Sequence, residues 1–145
     1  MDEDWREVIA DWRGEMGFTG SNPAKVNVQM GTLNGRPGVS PMELLLMGVA
    51  GCSGMDIVSI LQKKRQDLKE FQVLVRGKRA NEHPRIYTDI EVTYLFWGNE
   101  LDPKAIEHAI QLSEEKYCSA SIMLRASARM RSTYRILSPS EKVEA

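Results

Sequence analysis

The sequence predicts an α+β fold in a single domain, residues 1–145, with antiparallel strands and one long buried helix. Three observations predict it. An apolar segment with a marked helical start runs from Ser40 to Leu61. Several other segments alternate apolar and polar residues at the period of a strand. A second helical segment falls between the last two of these, so the order reads strand, strand, helix, strand, strand, helix, strand.

Each element has its own signal. Val8 to Trp12 reads as the first strand, followed by turns at Gly14, Gly17 and Gly20. Val26, Val28 and Met30 alternate with Lys25, Asn27 and Gln29 as in a half-buried strand, and Asn34-Gly-Arg-Pro-Gly38 is a loop with strong turn chemistry. The long helix opens with Ser40 as N-cap, Pro41 at the first helical position and Glu43 three residues after the cap, which is a capping box. Lys63, Lys64 and Arg65 suit the negative end of its dipole. Between these ends apolar residues occupy every side, as in a helix buried all round. A chain of this size is expected to need a partner subunit to cover it. Phe71, Val73 and Val75 mark a strand, and Ala80 to Arg85 a loop, since Pro84 disfavours helix before it. Ile86 to Phe96 is the clearest strand, ended by Gly98-Asn99. A helix starting at Asp102-Pro103 carries Ile106, Ala109, Ile110 and Ser113 on one face and ends near Cys118. The last strand is expected from Ile122 to Ile136. Ile122, Leu124, Ala126, Ala128, Met130, Tyr134 and Ile136 then share one face, and Arg125, Arg129, Arg131 and Arg135 the other. Residues 138–145 form a polar tail.

Composition narrows the function. The chain is 42% hydrophobic and 27% charged, ordinary for a soluble protein, and a domain of this length buries about 70% of the surface its unfolded chain exposes. With 19 basic and 20 acidic residues the net charge is −1, which gives no bulk attraction to nucleic acid or an anionic membrane. The segment Met1-Asp-Glu-Asp-Trp5 is acidic, so no secretory signal is expected. The longest charge-free apolar stretch, Leu44 to Met55, has 12 residues, short of the roughly 20 that span a membrane. The expected compartment is the cytoplasm, where disulfides are mostly transient and catalytic.

The two cysteines carry the chemistry. Cys52 lies mid-helix and Cys118 near the end of the second helix. A free cysteine often acts as a small buried hydrophobe. Three glycines around Cys52 (Gly48, Gly51 and Gly54) argue for more, because each costs about 1 kcal/mol in a helix relative to alanine. Close approach of another backbone, or access for a substrate, would offset that. Leu45, Gly48, Met55, Asp56 and Ser59 share the Cys52 face and make a small apolar pocket with a polar edge. A reactive thiol must ionise, so a nearby cation is required, with Arg13 or an arginine of the last strand as candidates. Paired with Cys52, Cys118 makes sense as a resolving thiol. Cys52, Cys118, His83 and His108 lack metal-ligand spacing, and neither metal nor cofactor is expected. Gly14, Gly17 and Gly20 do not form a phosphate loop before a helix, and Ser53 sits in no nucleophile elbow.

The residues Ser40-Pro41-Met42-Glu43-Leu44-Leu45 through Gly51-Cys52-Ser53 resemble the central helix of the OsmC/Ohr family, the osmotically inducible and organic hydroperoxide resistance proteins. Glu82-His83-Pro84-Arg85, the strand with Thr88, Ile90 and Tyr94, and Lys116-Tyr117-Cys118-Ser119 look similar to the same family, closest to its YhfA-like branch. The resemblance covers about residues 7–137. It implies an OsmC-like fold, an intertwined homodimer in which antiparallel sheets flank the long buried central helices, with two sites at the interface. It further implies that Cys52 attacks an organic hydroperoxide, that Cys118 resolves the sulfenic acid, and that a dithiol such as a lipoyl group is the reductant. The peroxidase branches place a glutamate directly after the helix-starting proline, where it orders the catalytic arginine. Here Met42 holds that position and Glu43 comes one later, about 180° from Cys52 on the helix. Arg13 and Glu43 are the corresponding candidates. The leading reading is a cytoplasmic, dimeric thiol hydroperoxide reductase. One alternative is a protein on the same scaffold that binds a hydrophobic ligand or thiol carrier at the interface. Another is a redox switch that changes shape when the two cysteines join.

Overall fold

A computed structural model describes residues 4–143 of the chain. The backbone forms two units, Met1–Leu45 and Leu46–Ala145. In the first, β1 (Ile9–Gly14), β2 (Gly17–Ser21) and β3 (Asn27–Met30) make an antiparallel meander. The sequence reading passed over β2, because its small residues Gly17, Thr19, Gly20 and Ser21 resemble turns; the ladder it forms on both sides makes it the middle strand. The predicted loop from Asn34 to Gly38 includes a tight hairpin, β4 (Thr32–Leu33) with β5 (Arg36–Pro37). Asn34 and Gly35 sit between them with φ of 55° and 73°, the left-handed pair of a hairpin turn that follows strand twist.

Helix α1 (Pro41–Lys63) starts in the first unit and continues into the second. Its capping box forms as expected. Ser40 Oγ accepts the Glu43 N–H at 3.0 Å, and Glu43 Oε1 accepts the Ser40 N–H at 2.7 Å. By length and composition it is one helix apolar enough to cross a bilayer, yet Ser53 in its middle is tied by hydrogen bonds to Tyr94 and Ser113. Within the chain it buries only Val49, Ser53, Gly54, Ile57 and Leu61, and leaves Met47 and Met55 exposed.

In the second unit β6 (Asp67–Arg79) pairs antiparallel with β7 (Tyr87–Asn99), with Val75 opposite Val92 and Val73 opposite Tyr94. The even residues of β7, Ile90, Val92, Tyr94 and Phe96, share one buried face. Phe71 stacks on Phe96 with ring centroids 4.7 Å apart, and Gly54 of α1 lies against the Phe71 and Val73 side chains. The odd residues Leu95 and Trp97 are buried with Leu137 on the other face. There Trp97 Nε1 donates to the Glu141 carbonyl at 2.7 Å, so part of the polar tail is packed; residues 144–145 of that tail and 1–3 of the N-terminus lie outside the described residues.

The segment after β7 departs most from expectation. Helix α2 (Pro103–Leu112) is capped by Asp102 and runs into a π-helical turn at Ser113–Tyr117. Cys118 follows in extended conformation, and α3 (Ser119–Arg125) begins. The expected strand from Ile122 is therefore helical as far as Arg125, and only β8 (Arg129–Leu137) is strand. Ala120, Met123, Leu124 and Arg125 are strong helix formers, and over so short a run their propensity outweighs a coincidental alternation. Because the helical segment carries the chain across, β8 pairs parallel to β7, with Tyr134 beside Tyr94, and the sheet of order β6-β7-β8 is mixed rather than antiparallel. Arg129 and Arg131 lie near Asp89 on an open face at 3.4 Å and 3.9 Å, as solvated charges do.

Candidate thiol site

Three elements of the second unit meet at sulfur. Cys52 is half-buried on α1, Asp56 follows one turn later on the same face, and Cys118 is fully buried where the π-helical turn meets α3. Cys52 Sγ, Cys118 Sγ and a carboxylate oxygen of Asp56 all lie within 4.8 Å of one another. Both cysteines are free thiols. The three donors are also near enough to share an ion, but number one fewer than the four of a structural zinc site, and His83 and His108 do not join them.

The backbone explains the position of Cys118. Its N–H donates to the Ser113 carbonyl at 2.7 Å, closing the wide turn. Its sulfur accepts the Ser121 N–H at 3.4 Å and lies 3.1 Å from Ser121 Oγ, so the thiol caps α3. Burial pushes the Cys118 thiol above its ordinary value. The Ser121 hydrogen bonds work against the rise, and neighbouring Cys52 adds to it. Cys118 is thus held as a protonated thiol at neutral pH.

Behind the sulfurs runs a chain of oxygens. Ser113 Oγ donates to Asp56 Oδ2 at 3.1 Å. Ser53 Oγ lies 3.0 Å from Ser113 Oγ and 2.9 Å from Tyr94 Oη. Tyr94 donates to Glu114 Oε2 at 2.8 Å, and Ser132 donates to Glu114 Oε1 at 3.0 Å. Ser53, Ser113 and Tyr94 are sealed from solvent. Burial raises Tyr94 far above the usual phenol value, the Ser53 bond opposes that, and the Glu114 carboxylate and Cys118 reinforce it. Sequence reasoning named Asp56 and set Ser53 aside, and it missed the roles of Tyr94, Ser113 and Glu114. The available signal was Ser113 itself, a hydroxyl on the apolar face of α2.

The other candidates serve their own unit. Arg13 Nε donates to Thr19 Oγ1 at 3.2 Å across the β1–β2 hairpin, with Asp11 at 3.8 Å. Glu43 is engaged at the start of α1. Two hollows flank the second unit's part of α1. A shallow apolar one of about 400 Å³ is lined by Gly51, Gly54, Met55, Val58, Phe71 and Val73 among others. Another of about 470 Å³ is bordered by Asp56, Lys63, Lys64, His108 and Tyr117 among others.

This helix, sheet and dithiol define a class. The sequence model of the OsmC-like protein family matches residues 33–133, and the chain belongs to that family. Protein YhfA of Escherichia coli strain K12 is 36% identical over 126 residues, covering 87% of this chain and 94% of that one. A crystal structure of a hypothetical protein from Aquifex aeolicus superposes with a TM-score of 0.83 at 34% identity, covering 92% of this chain and 97% of that one. The organic hydroperoxide resistance protein OhrB of Bacillus subtilis shares the fold, with a TM-score of 0.61 at 19% identity over 90% of this chain and 98% of that one. The mixed α+β architecture with a long central helix agrees with these structures.

Proposed function

We propose that this protein reduces organic hydroperoxides, with Cys52 as the attacking thiolate and Cys118 as the resolving thiol. The observation that carries the reading is the meeting of both sulfurs and the Asp56 carboxylate within 4.8 Å. The Cys52 thiolate attacks one peroxide oxygen, the O–O bond breaks, and the alkoxide takes up a proton and leaves as an alcohol. The Cys118 sulfur then displaces hydroxide from the sulfenic acid. Hydroxide leaves as water with the Cys118 proton, and a disulfide forms. A dithiol such as a lipoyl group restores both thiols by exchange. Glu43 orders the start of α1. Two free thiols suit a reducing compartment, the cytoplasm.

The acting form is a homodimer. Leu45, Met47 and Met55 of α1 are 45%, 50% and 76% exposed in the single chain. Gly48 and Gly51 face open space, where another backbone would approach. The test of the chemistry is intact mass and free-thiol count after one equivalent of an alkyl hydroperoxide. Wild type is expected to lose two thiols and two mass units, and Cys118→Ser to gain one oxygen. A second reading rests on Met42 in place of the peroxidase glutamate and on the apolar hollow beside Gly51. It makes the protein a binder of a hydrophobic ligand or thiol carrier. Survival of both thiols in excess peroxide would select it.

A further inference from the structure

Two soft donors and one hard donor meet at the thiol site. Cys52 and Asp56 are separated by one turn of α1 and share a face. That is the spacing with which a helix offers two ligands to one ion. Cys118 reaches them from the end of the π-helical turn. Both sulfurs and a carboxylate oxygen of Asp56 lie within 4.8 Å of one another. A tetrahedral ion with sulfur bonds of about 2.3 Å and an oxygen bond of about 2.1 Å sets its sulfurs about 3.8 Å apart, and sulfur and oxygen about 3.6 Å apart. Both separations fall inside the 4.8 Å that contains the donors. The donors are also held from behind, as ligands of an ion are. Ser113 steadies two of them: its hydroxyl donates to Asp56 Oδ2 at 3.1 Å, and its carbonyl accepts the Cys118 N–H at 2.7 Å. The Cys118 sulfur accepts the Ser121 N–H at 3.4 Å, which fixes its direction. Cys52 and Asp56 are only half-buried, and Asp56 borders the hollow of about 470 Å³ with Lys63 and Lys64, so an ion has a way in.

We propose that the reduced protein binds one thiophilic divalent cation of the zinc class through Cys52 Sγ, Cys118 Sγ and a carboxylate oxygen of Asp56, and that the bound ion masks both thiols. The donor set selects the ion. Thiolates favour Zn²⁺ and softer cations, whereas Mg²⁺ and Ca²⁺ take oxygen ligands. Three protein ligands fall one short of a closed structural site and leave the fourth tetrahedral position to water, as in an open zinc site. Binding is a ligand exchange without oxidation. The two S–H protons pass to solvent, three metal–ligand bonds form, and the ion sheds water while keeping one at the open position. Two thiolates and a carboxylate around a divalent ion leave one negative charge, and Lys63 and Lys64 on the shared hollow offset it. A sulfur bonded to the ion neither attacks nor resolves, so the ion and an oxidant compete for the same two atoms. Binding stands apart from the hydroperoxide reading, and only the loss of turnover rests on it. The ligand spacing along the chain hid the site, because its third ligand comes from a distant segment.

The test uses the full reduced chain, freed of metal by a chelator and kept under nitrogen. CdCl₂ is added first, because cadmium takes the same ligands and its thiolate bonds absorb in the ultraviolet. The band is expected to saturate at one ion per chain, and ZnCl₂ to displace it. The second readout is alkylation of Cys52 and Cys118 by iodoacetamide at fixed pH, resolved by peptide mass. In wild type, ZnCl₂ is expected to slow both cysteines about tenfold or more, with the same half-effective concentration for each, since one ion holds both. Asp56→Asn keeps the size of the side chain and both thiols but removes the charged ligand. Its zinc affinity is expected to fall about tenfold or more, because even the outer partners of a metal site are worth about 10–100-fold. Thermal unfolding shows whether the variant folds; where it does not, the protection of wild-type cysteines decides alone. Protection of one cysteine only, a band that never saturates at one ion per chain, or unchanged affinity in folded Asp56→Asn would overturn the site. An alkyl hydroperoxide assay separates this site from the hydroperoxide reading. Saturable zinc binding in a protein whose thiols survive excess peroxide keeps the site and removes the peroxidase. Peroxide turnover that ZnCl₂ leaves unslowed, without saturable binding, does the reverse.

Discussion

At the scale of single residues, the two cysteines differ in what surrounds them. Cys118 is enclosed and its thiol is pushed up by burial, while two Ser121 hydrogen bonds pull it down. Ser121→Ala removes the hydroxyl and keeps the backbone N–H. The alkylation midpoint of Cys118 is therefore expected to move further toward alkaline pH, which peptide-resolved labelling across pH would read. An unchanged midpoint would mean that the hydroxyl contributes nothing. Cys52 and Cys118 were legible in the sequence as candidates, because each stands in a distinctive local setting. Their mutual distance was not. Sequence separation carries no distance, and the wide turn that brings Cys118 to α1 rests on a contact between the Cys118 N–H and the Ser113 carbonyl that no propensity announces.

At the scale of elements, α1 shows both what local chemistry sets and where it stops. The Ser40 and Glu43 pair was readable and forms. Ser40→Ala is expected to lower stability by about 1 kcal/mol in urea unfolding, as lost N-caps do. Ile57, fully buried on α1, tests the core. Ile57→Ala is expected to cost about 3 kcal/mol, the middle of the range for such truncations. A cost near zero would mean that α1 is not packed as described. The segment 119–137 shows the converse. Period-two alternation and helix propensity competed over a few residues, and the alternation was read across a junction where the chain turns from α3 into β8. Strand direction depended on that junction, since only a helical crossover returns a chain parallel.

At the scale of the whole molecule, two protons held more firmly in the folded state set the alkaline limit. Cys118 and Tyr94 both titrate above their ordinary values when folded. As pH rises past the value of an unfolded thiol, about 8.5, the unfolded chain loses a proton that the folded chain keeps. Stability is then full below that pH and falls above it. Cys118→Ser is expected to flatten the first part of the fall, measured as unfolding free energy against pH. A fall of equal slope in the variant would assign it elsewhere. The exposed apolar face of α1 belongs to the same scale. Light scattering is expected to give twice the chain mass of 16.4 kDa, and Gly51→Arg, placed where the chain itself leaves open space, to shift it toward the monomer.

The sequence by itself determined the local items: the α+β class, the capped apolar helix, the alternating strand with Tyr94, and two thiols in settings that resemble one family. These follow from short-range physics, since caps, periodicity and turn chemistry act within a few residues. The tertiary structure alone decided which groups meet. It brought Cys52 and Asp56 of α1 together with Cys118 at the junction of the π-helical turn and α3, made β8 parallel, and lined Ser53, Ser113 and Tyr94 into a sealed chain between two carboxylates. The physical reason is burial. A hydroxyl in water is satisfied anywhere, but once sealed from solvent it must find its partner within the fold, and that partner lies far away in sequence.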